Sequence, residues 1–160
     1  MKKWIALFLT LALALSLPVT AFAAEINQDS DPKTAKATVT TSIEPTYTVT
    51  IPGNVQVEFN ATSTKFGTIE LAAAQIDPGY AVKVTLSASG KLKNEADQTK
   101  TIAYTVNSGD GVFSSQAYQN EGDSTDLTID ITRAAWNAAY AGNYSDTVTF
   151  TVSYIDTTTA

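Results

Sequence analysis

Apolar and polar residues alternate with a period of two through most of the chain from residue 37 onward, the pattern of half-buried β-strands. Val39 and Ile43 share a face and predict a first, weak strand at residues 37–43, interrupted by Pro45. Tyr47, Val49 and Ile51 alternate with threonines up to Pro52, and the flanking prolines suit an edge strand. Further strands are predicted where Val55, Val57 and Phe59 alternate, over residues 66–71, through Tyr80, Val82, Val84 and Leu86, and through Ile102, Tyr104 and Val106. Residues 112–118 predict a short edge strand, and Leu127, Ile129 and Ile131 another. The last strand is the clearest: Tyr144, Val148, Phe150, Val152 and Tyr154 fall on one face, and Thr147, Thr149, Thr151 and Ser153 on the other. Helical signals are brief. Ala72, Ala73 and Ala74 predict a turn of helix before the turn-forming Asp77-Pro78-Gly79, and residues 133–139 predict another carrying Trp136.

Short alternating strands separated by Gly, Asn and Asp turns predict an all-β fold. The expected form is an immunoglobulin-like antiparallel β-sandwich of about seven to nine strands over residues 37–160. Residues 24–36 are polar, contain Pro32 and predict a flexible leader. Ahead of them, Met1-Lys2-Lys3 is a basic start, Trp4 to Leu17 is apolar, and Ala21-Phe22-Ala23 supplies a small-x-small cleavage pattern. Residues 1–23 therefore predict a secretory signal peptide. The apolar run is shorter than the roughly 20 residues that cross a bilayer, and no second run follows, so no membrane span is expected.

Charge and composition narrow the function. Lys2 and Lys3 lie in the signal peptide, which leaves eight basic against sixteen acidic residues and a net charge of about −8 on the mature chain. Such a surface repels nucleic acid. The chain has no cysteine and no histidine. A Ser-His-Asp or Cys-His centre and the usual zinc site are thereby excluded, and a secreted domain without cysteine is held by burial and hydrogen bonding alone. Cysteine avoidance and the Met-Lys-Lys start suit a secreted bacterial protein. Carboxylates alone could in principle run glycoside hydrolysis. Spread over polar loops they read as solvating charge, and no enzymatic activity is expected.

Two candidate binding sites remain. Trp136 and Tyr140 lie four residues apart, on one face of a helical turn, where aromatic rings could stack on a sugar; the alternative is that Trp136 caps the core. Glu121, Asp123 and Asp126 crowd one loop with Asn120, and Asp110 precedes them in a glycine-rich turn, a set of oxygen ligands that could suit calcium. No other cofactor is implied.

The closing stretch, residues 141–154, carries an Ala-Gly-x-Tyr turn leading into a Thr/Val strand. It resembles the final segment of spore coat protein U and related fimbrial β-sandwich proteins. Gly142 would allow the tight turn, and Tyr144 would pack at the sandwich corner with its hydroxyl reaching backbone, the logic of a tyrosine corner. The resemblance implies an extracellular structural subunit or adhesin, sometimes assembled through a donated strand, with surface proteins, other copies or glycans as partners. Residues 37–43 could either open their own sheet or complete a neighbour's.

Overall fold

The computed structural model describes residues 24–109 and 111–158. The expected signal peptide, residues 1–23, lies outside them. The chain divides into two units, Met1–Ser42 and Ile43–Ala160.

In the first unit, residues 24–42 form no helix or strand, and all but Ser30 are exposed. A small turn is closed by the Asn27 N–H donating to Ser30 Oγ (3.0 Å) and the Ser30 N–H donating to the Asn27 carbonyl (3.3 Å). Residues 37–43 are not a strand, contrary to their alternation: Val39 is 95% and Ile43 65% exposed. Alternation is a side-chain pattern, and a strand also needs a partner for its backbone.

The second unit is the expected all-β, antiparallel sandwich-like fold. Its described residues form eleven strands and one short helix: β1 (Thr46–Thr50), β2 (Ser63–Gln75), β3 (Tyr80–Ser87), β4 (Lys91–Asn94), β5 (Thr101–Ala103), β6 (Thr105–Ser108), β7 (Gly111–Val112), β8 (Ser115–Tyr118), β9 (Ser124–Asp130), α1 (Arg133–Asn137), β10 (Tyr144–Ser145) and β11 (Thr149–Asp156). One sheet has the order β1-β2-β9-β6-β7, a second β11-β3-β8 and a third β10-β4-β5. The count exceeds the expected one because three expected strands are divided, residues 112–118 into β7 and β8 among them, and because β4 forms where no strand was expected. The last strand is broken into β10 and β11, and the region of residues 102–106 into β5 and β6.

Strand β2 runs through Ala72, Ala73 and Ala74, where a helical turn was expected. Thr48 pairs with Ala73 and Tyr47 with Ala74, so ladder bonds to β1 override alanine's helix preference. Residues 55–59 reverse the opposite way. Val55 and Val57 pack against the core as their alternation predicts, but residues 51–58 belong to no ladder.

Ile69 and Leu71 of β2, Val82 and Val84 of β3, and Leu127 of β9 are fully buried in the core, with Ile102, Tyr104, Val106, Phe113, Tyr118, Ile129 and Ile131 around them. At one edge Tyr154 of β11 stacks between Tyr47 of β1 (6.0 Å between centroids) and Tyr80 of β3 (4.9 Å). The Tyr154 hydroxyl accepts the Asp77 N–H at 2.7 Å and donates to the Asp77 carboxylate at 3.0 Å. This stack fastens the edge strand of the first sheet to the second sheet.

Candidate functional site

A cleft of about 990 Å³ lies between two stretches of chain, residues 51–59 and 142–150. Its floor is the end of the core: Phe66, Leu92, Ile102, Tyr104 and Ile129, with Trp136 at one end. Glu58 and Asp146 are the charged residues of its lining.

Sequence features place each wall. Gly67 of β2 has φ +145°, a conformation that disfavours any Cβ, and a Cβ there would meet Pro52 Cβ at 3.0 Å. The β2–β9 register shifts between Lys65 and Gly67. The bare backbone at this bulge lets Pro52 cross over β2 and start the first wall. The wall ends at a turn in which the Ala61 N–H donates to the Glu58 carbonyl (3.0 Å), with Asn60 at φ 65°. Trp136 Nε1–H donates to the Ala61 carbonyl (2.8 Å), and its ring meets Phe59 edge-on at 5.7 Å. Helix α1, which carries Trp136, is opened by Thr132 Oγ1 accepting the Ala135 N–H at 3.1 Å.

The second wall is pinned at its start. The Tyr144 hydroxyl donates to the Tyr140 carbonyl at 2.9 Å, the corner expected from the Ala-Gly-x-Tyr motif. Tyr144 and Ser145 pair with Asn94 and Lys93 of β4. Asn94 is 3% exposed and ties the corner together. Its Nδ2 donates to the Ala141 carbonyl (3.3 Å), its Oδ1 accepts the N–H groups of Ala96 (2.9 Å) and Asp97 (3.1 Å), and its carbonyl accepts Gln98 Nε2 (2.9 Å). Gly142 (φ +139°) lies against the Asn94 side-chain amide, in space that a Cβ would need. Beyond it, Asp146 Oδ2 accepts the Tyr104 hydroxyl (2.6 Å) and the Ser89 hydroxyl (2.8 Å).

These walls present unpaired backbone. Strand β11 pairs with β3 along one edge and is the end strand of its sheet; β10 likewise ends its sheet. Among the described residues, residues 51–57 make no backbone–backbone hydrogen bond. An apolar floor is therefore bordered by a stretch without backbone partners and by edge strands at β10 and the start of β11, and free sheet edges are where another strand can add. The side chains show the same incompleteness, since Phe59 is 77% and Ile51 45% exposed.

The other candidates stand apart from this arrangement. Tyr140 is exposed, with the Lys100 ammonium 4.6 Å from its ring centroid, while the Trp136 ring is engaged by Phe59 and Ala61. The two aromatic residues thus have separate partners. Asp123 Oδ2 accepts the N–H groups of Gln119 (2.9 Å) and Asn120 (2.8 Å), and these bonds hold its carboxyl below the usual aspartate range. Asp126 Oδ1 accepts the Thr68 hydroxyl at 2.5 Å. Asp110 lies outside the described residues. Among the described residues, Glu121, Asp123 and Asp126 do not gather into a group of three metal-ligating side chains.

No family model and no curated protein sequence matches the chain.

The carboxylate inside the groove has a consequence for stability. Burial raises the Asp146 carboxyl, but hydrogen bonds from Tyr104, Ser89 and the backbone outweigh it and hold the group below the ordinary value. Burial first, and then the bond to Asp146, push the Tyr104 phenol far up, so it stays a donor. A depressed folded-state carboxyl contributes stability that is complete above the unfolded value of about 3.9 and is lost as pH falls through the folded value. Asp146→Asn is expected to lose about 1 kcal/mol at pH 7 and to narrow the stability difference between pH 7 and pH 3. Urea melts at the two pH values check this, and an unchanged difference would contradict it.

Proposed function

We propose that this chain is a secreted, non-enzymatic structural subunit of a bacterial surface or extracellular matrix, which assembles by taking an extended segment into its open groove. The observation that carries this reading is an apolar floor bordered by residues 51–57, which have no backbone partner, and by residues 144–150, which hold the edge strand β10 and the start of the edge strand β11. The lack of histidine and cysteine supports a non-enzymatic role. The segment best suited to the groove is residues 37–43, which alternate, are exposed and have no ladder of their own. Seven residues extend over about 23 Å, enough to lie along residues 51–57. Burying Val39 and Ile43 would contribute roughly 1.5–3 kcal/mol each. The same insertion covers an edge that would otherwise invite indiscriminate pairing.

The test is light scattering and negative-stain microscopy on residues 24–160 beside the variant Val39→Asp/Ile43→Asp. Both substituted side chains are exposed in the subunit, so the fold is retained. Oligomers or filaments from the parent, and monomers from the variant, are the expected result. Folded monomers from both, at concentrations up to the millimolar range, would sink the assembly reading and leave a free-standing binding domain.

A further inference from the structure

The three tyrosines at the edge of the sandwich differ from the other four in how their rings meet. The chain has seven tyrosines. Tyr104 and Tyr118 are buried, with their hydroxyls donated to Asp146 and Thr125. Tyr144 closes its corner, and Tyr140 is exposed beside the Lys100 ammonium. Among the described residues, tyrosine rings lie face to face only in the column of Tyr47, Tyr154 and Tyr80.

The backbone sets the closer pair. In the β11–β3 ladder Tyr154 stands opposite Val82, and Asp156 opposite Tyr80. Tyr154 and Tyr80 are therefore diagonal neighbours on one face, within reach of each other as long aromatic side chains. Their centroids are 4.9 Å apart and their planes are inclined by 18°, an offset stack in which carbons of one ring face carbons of the other. Tyr47 stacks on Tyr154 from the first sheet, at 6.0 Å and 20°, and is 39% exposed.

The central hydroxyl also has a base. Tyr154 donates its phenolic hydrogen to the Asp77 carboxylate at 3.0 Å, while the Asp77 N–H holds the same oxygen at 2.7 Å. A phenol that loses an electron becomes a strong acid. A carboxylate already hydrogen-bonded to it takes the proton without rearrangement.

Rings, register and base point to one reaction. We infer that Tyr154 and Tyr80 are a site of oxidative modification, where a one-electron oxidant of the peroxidase class joins the two rings into an intrachain dityrosine. Each ring gives up one electron and its phenolic proton, that of Tyr154 passing to Asp77. The two phenoxyl radicals pair their unpaired electrons in a bond between ring carbons ortho to the oxygens. Each of these carbons then releases its hydrogen as a proton and each oxygen regains one, which restores both phenols. Two electrons and two protons leave in all, and they reduce one hydrogen peroxide to two waters. Face-to-face contact suits the coupling, because the half-filled orbital of a phenoxyl ring projects perpendicular to its plane. Contact also favours Tyr80 over a ring on another molecule, since partners held together react as if at very high concentration.

A chain without cysteine has no disulfide to draw on. Residues 80 and 154 lie about 75 positions apart, so the new bond closes a long loop and restricts the unfolded chain as a disulfide would. It fixes β11, the end strand of its sheet, to β3. The staple is independent of whatever fills the groove.

The test uses residues 24–160 carrying Tyr140→Phe, which removes the exposed ring most open to coupling between molecules. A haem peroxidase with hydrogen peroxide supplies the oxidation. The expected product is a monomer on denaturing electrophoresis that has lost two hydrogen atoms and shows dityrosine fluorescence. Its tryptic peptides 66–83 and 134–160 are joined. Tyr80→Phe and Tyr154→Phe keep the stacked rings, and each is expected to abolish that joined pair. The cross-linked protein is expected to have an unfolding constant about 100-fold lower in urea melts. Asp77→Asn is expected to slow the coupling about 10-fold and to make its rate rise with pH, where the parent's stays flat across neutral pH. Peptides 37–65 and 134–160 joined instead would place the bond at Tyr47 and overturn the assignment of Tyr80. Covalent multimers without the intrachain product, or no dityrosine at all, would overturn the site. A cross-linked product that melts with the parent would overturn its role as a staple, and an Asp77→Asn variant with the parent's rate and pH profile would overturn Asp77 as the proton acceptor.

Discussion

Replacing Gly142 with alanine is expected to destabilise the domain by about 3 kcal/mol, a large share of the 5–15 kcal/mol typical of a domain. Two costs add. The backbone at φ +139° is one that side chains rarely adopt, and the new methyl group would occupy the space of the Asn94 amide. Asn94 cannot move without loosening its bonds to Ala141, Ala96 and Asp97, leaving buried polar groups without partners. Urea denaturation followed by circular dichroism measures the effect. Asn94→Ala tests the mechanism, because the double variant should be about 1 kcal/mol more stable than the summed single effects imply. A loss below about 0.5 kcal/mol for Gly142→Ala would show that the corner has room to give.

Trp136→Ala is expected to cost about 3 kcal/mol, at the lower end of the range for deleting a large aromatic side chain, because the ring is only partly buried. The loss includes the edge contact with Phe59 and the hydrogen bond to the Ala61 carbonyl, the two interactions that hold the end of the first wall. Trp136→Phe keeps most of the packing and removes the donor, with an expected cost of about 1 kcal/mol. Chemical melts of the two variants separate the contributions. The same substitution decides between a core role and a sugar-stacking role for this residue. A variant that melts with the parent but no longer binds an immobilised polysaccharide would make Trp136 a ligand contact.

Much of the sandwich was legible because side chains carry the signal. The faces of β3 and β9 follow the alternation, as do the corner residues Gly142 and Tyr144. What the sequence left open was the hydrogen bonding of the backbone. Residues 55–59 and 37–43 alternate as well as many paired strands do, yet neither segment has a ladder. Conversely, Ala73 and Ala74, with high helix preference, sit in β2 because β1 offers them partners. A groove is an absence of pairing between two distant stretches, and no residue type reports it. The traces it left in sequence are indirect: Pro52 ahead of the first wall, and Gly67, the bare position it crosses. Trp136 shows the same limit. Its type suggested either a core residue or a sugar platform, and only the placement of Phe59 and Ala61 around it distinguishes the contacts it makes.

The tyrosine stack at the edge of the sandwich bears on how a filament of such subunits would carry load. Residues 37–43 lead through Glu44 and Pro45 directly into β1. A pull on the donated strand therefore enters the subunit at Thr46 and acts along the axis of β1. Its five residues are laid antiparallel on β2, so the ladder is loaded in shear, with its bonds resisting together rather than opening one after another. The Tyr47 ring, stacked on Tyr154, must slide off the second sheet in the same event. The first residues of the sandwich are thus fastened to both sheets at the point where tension would arrive.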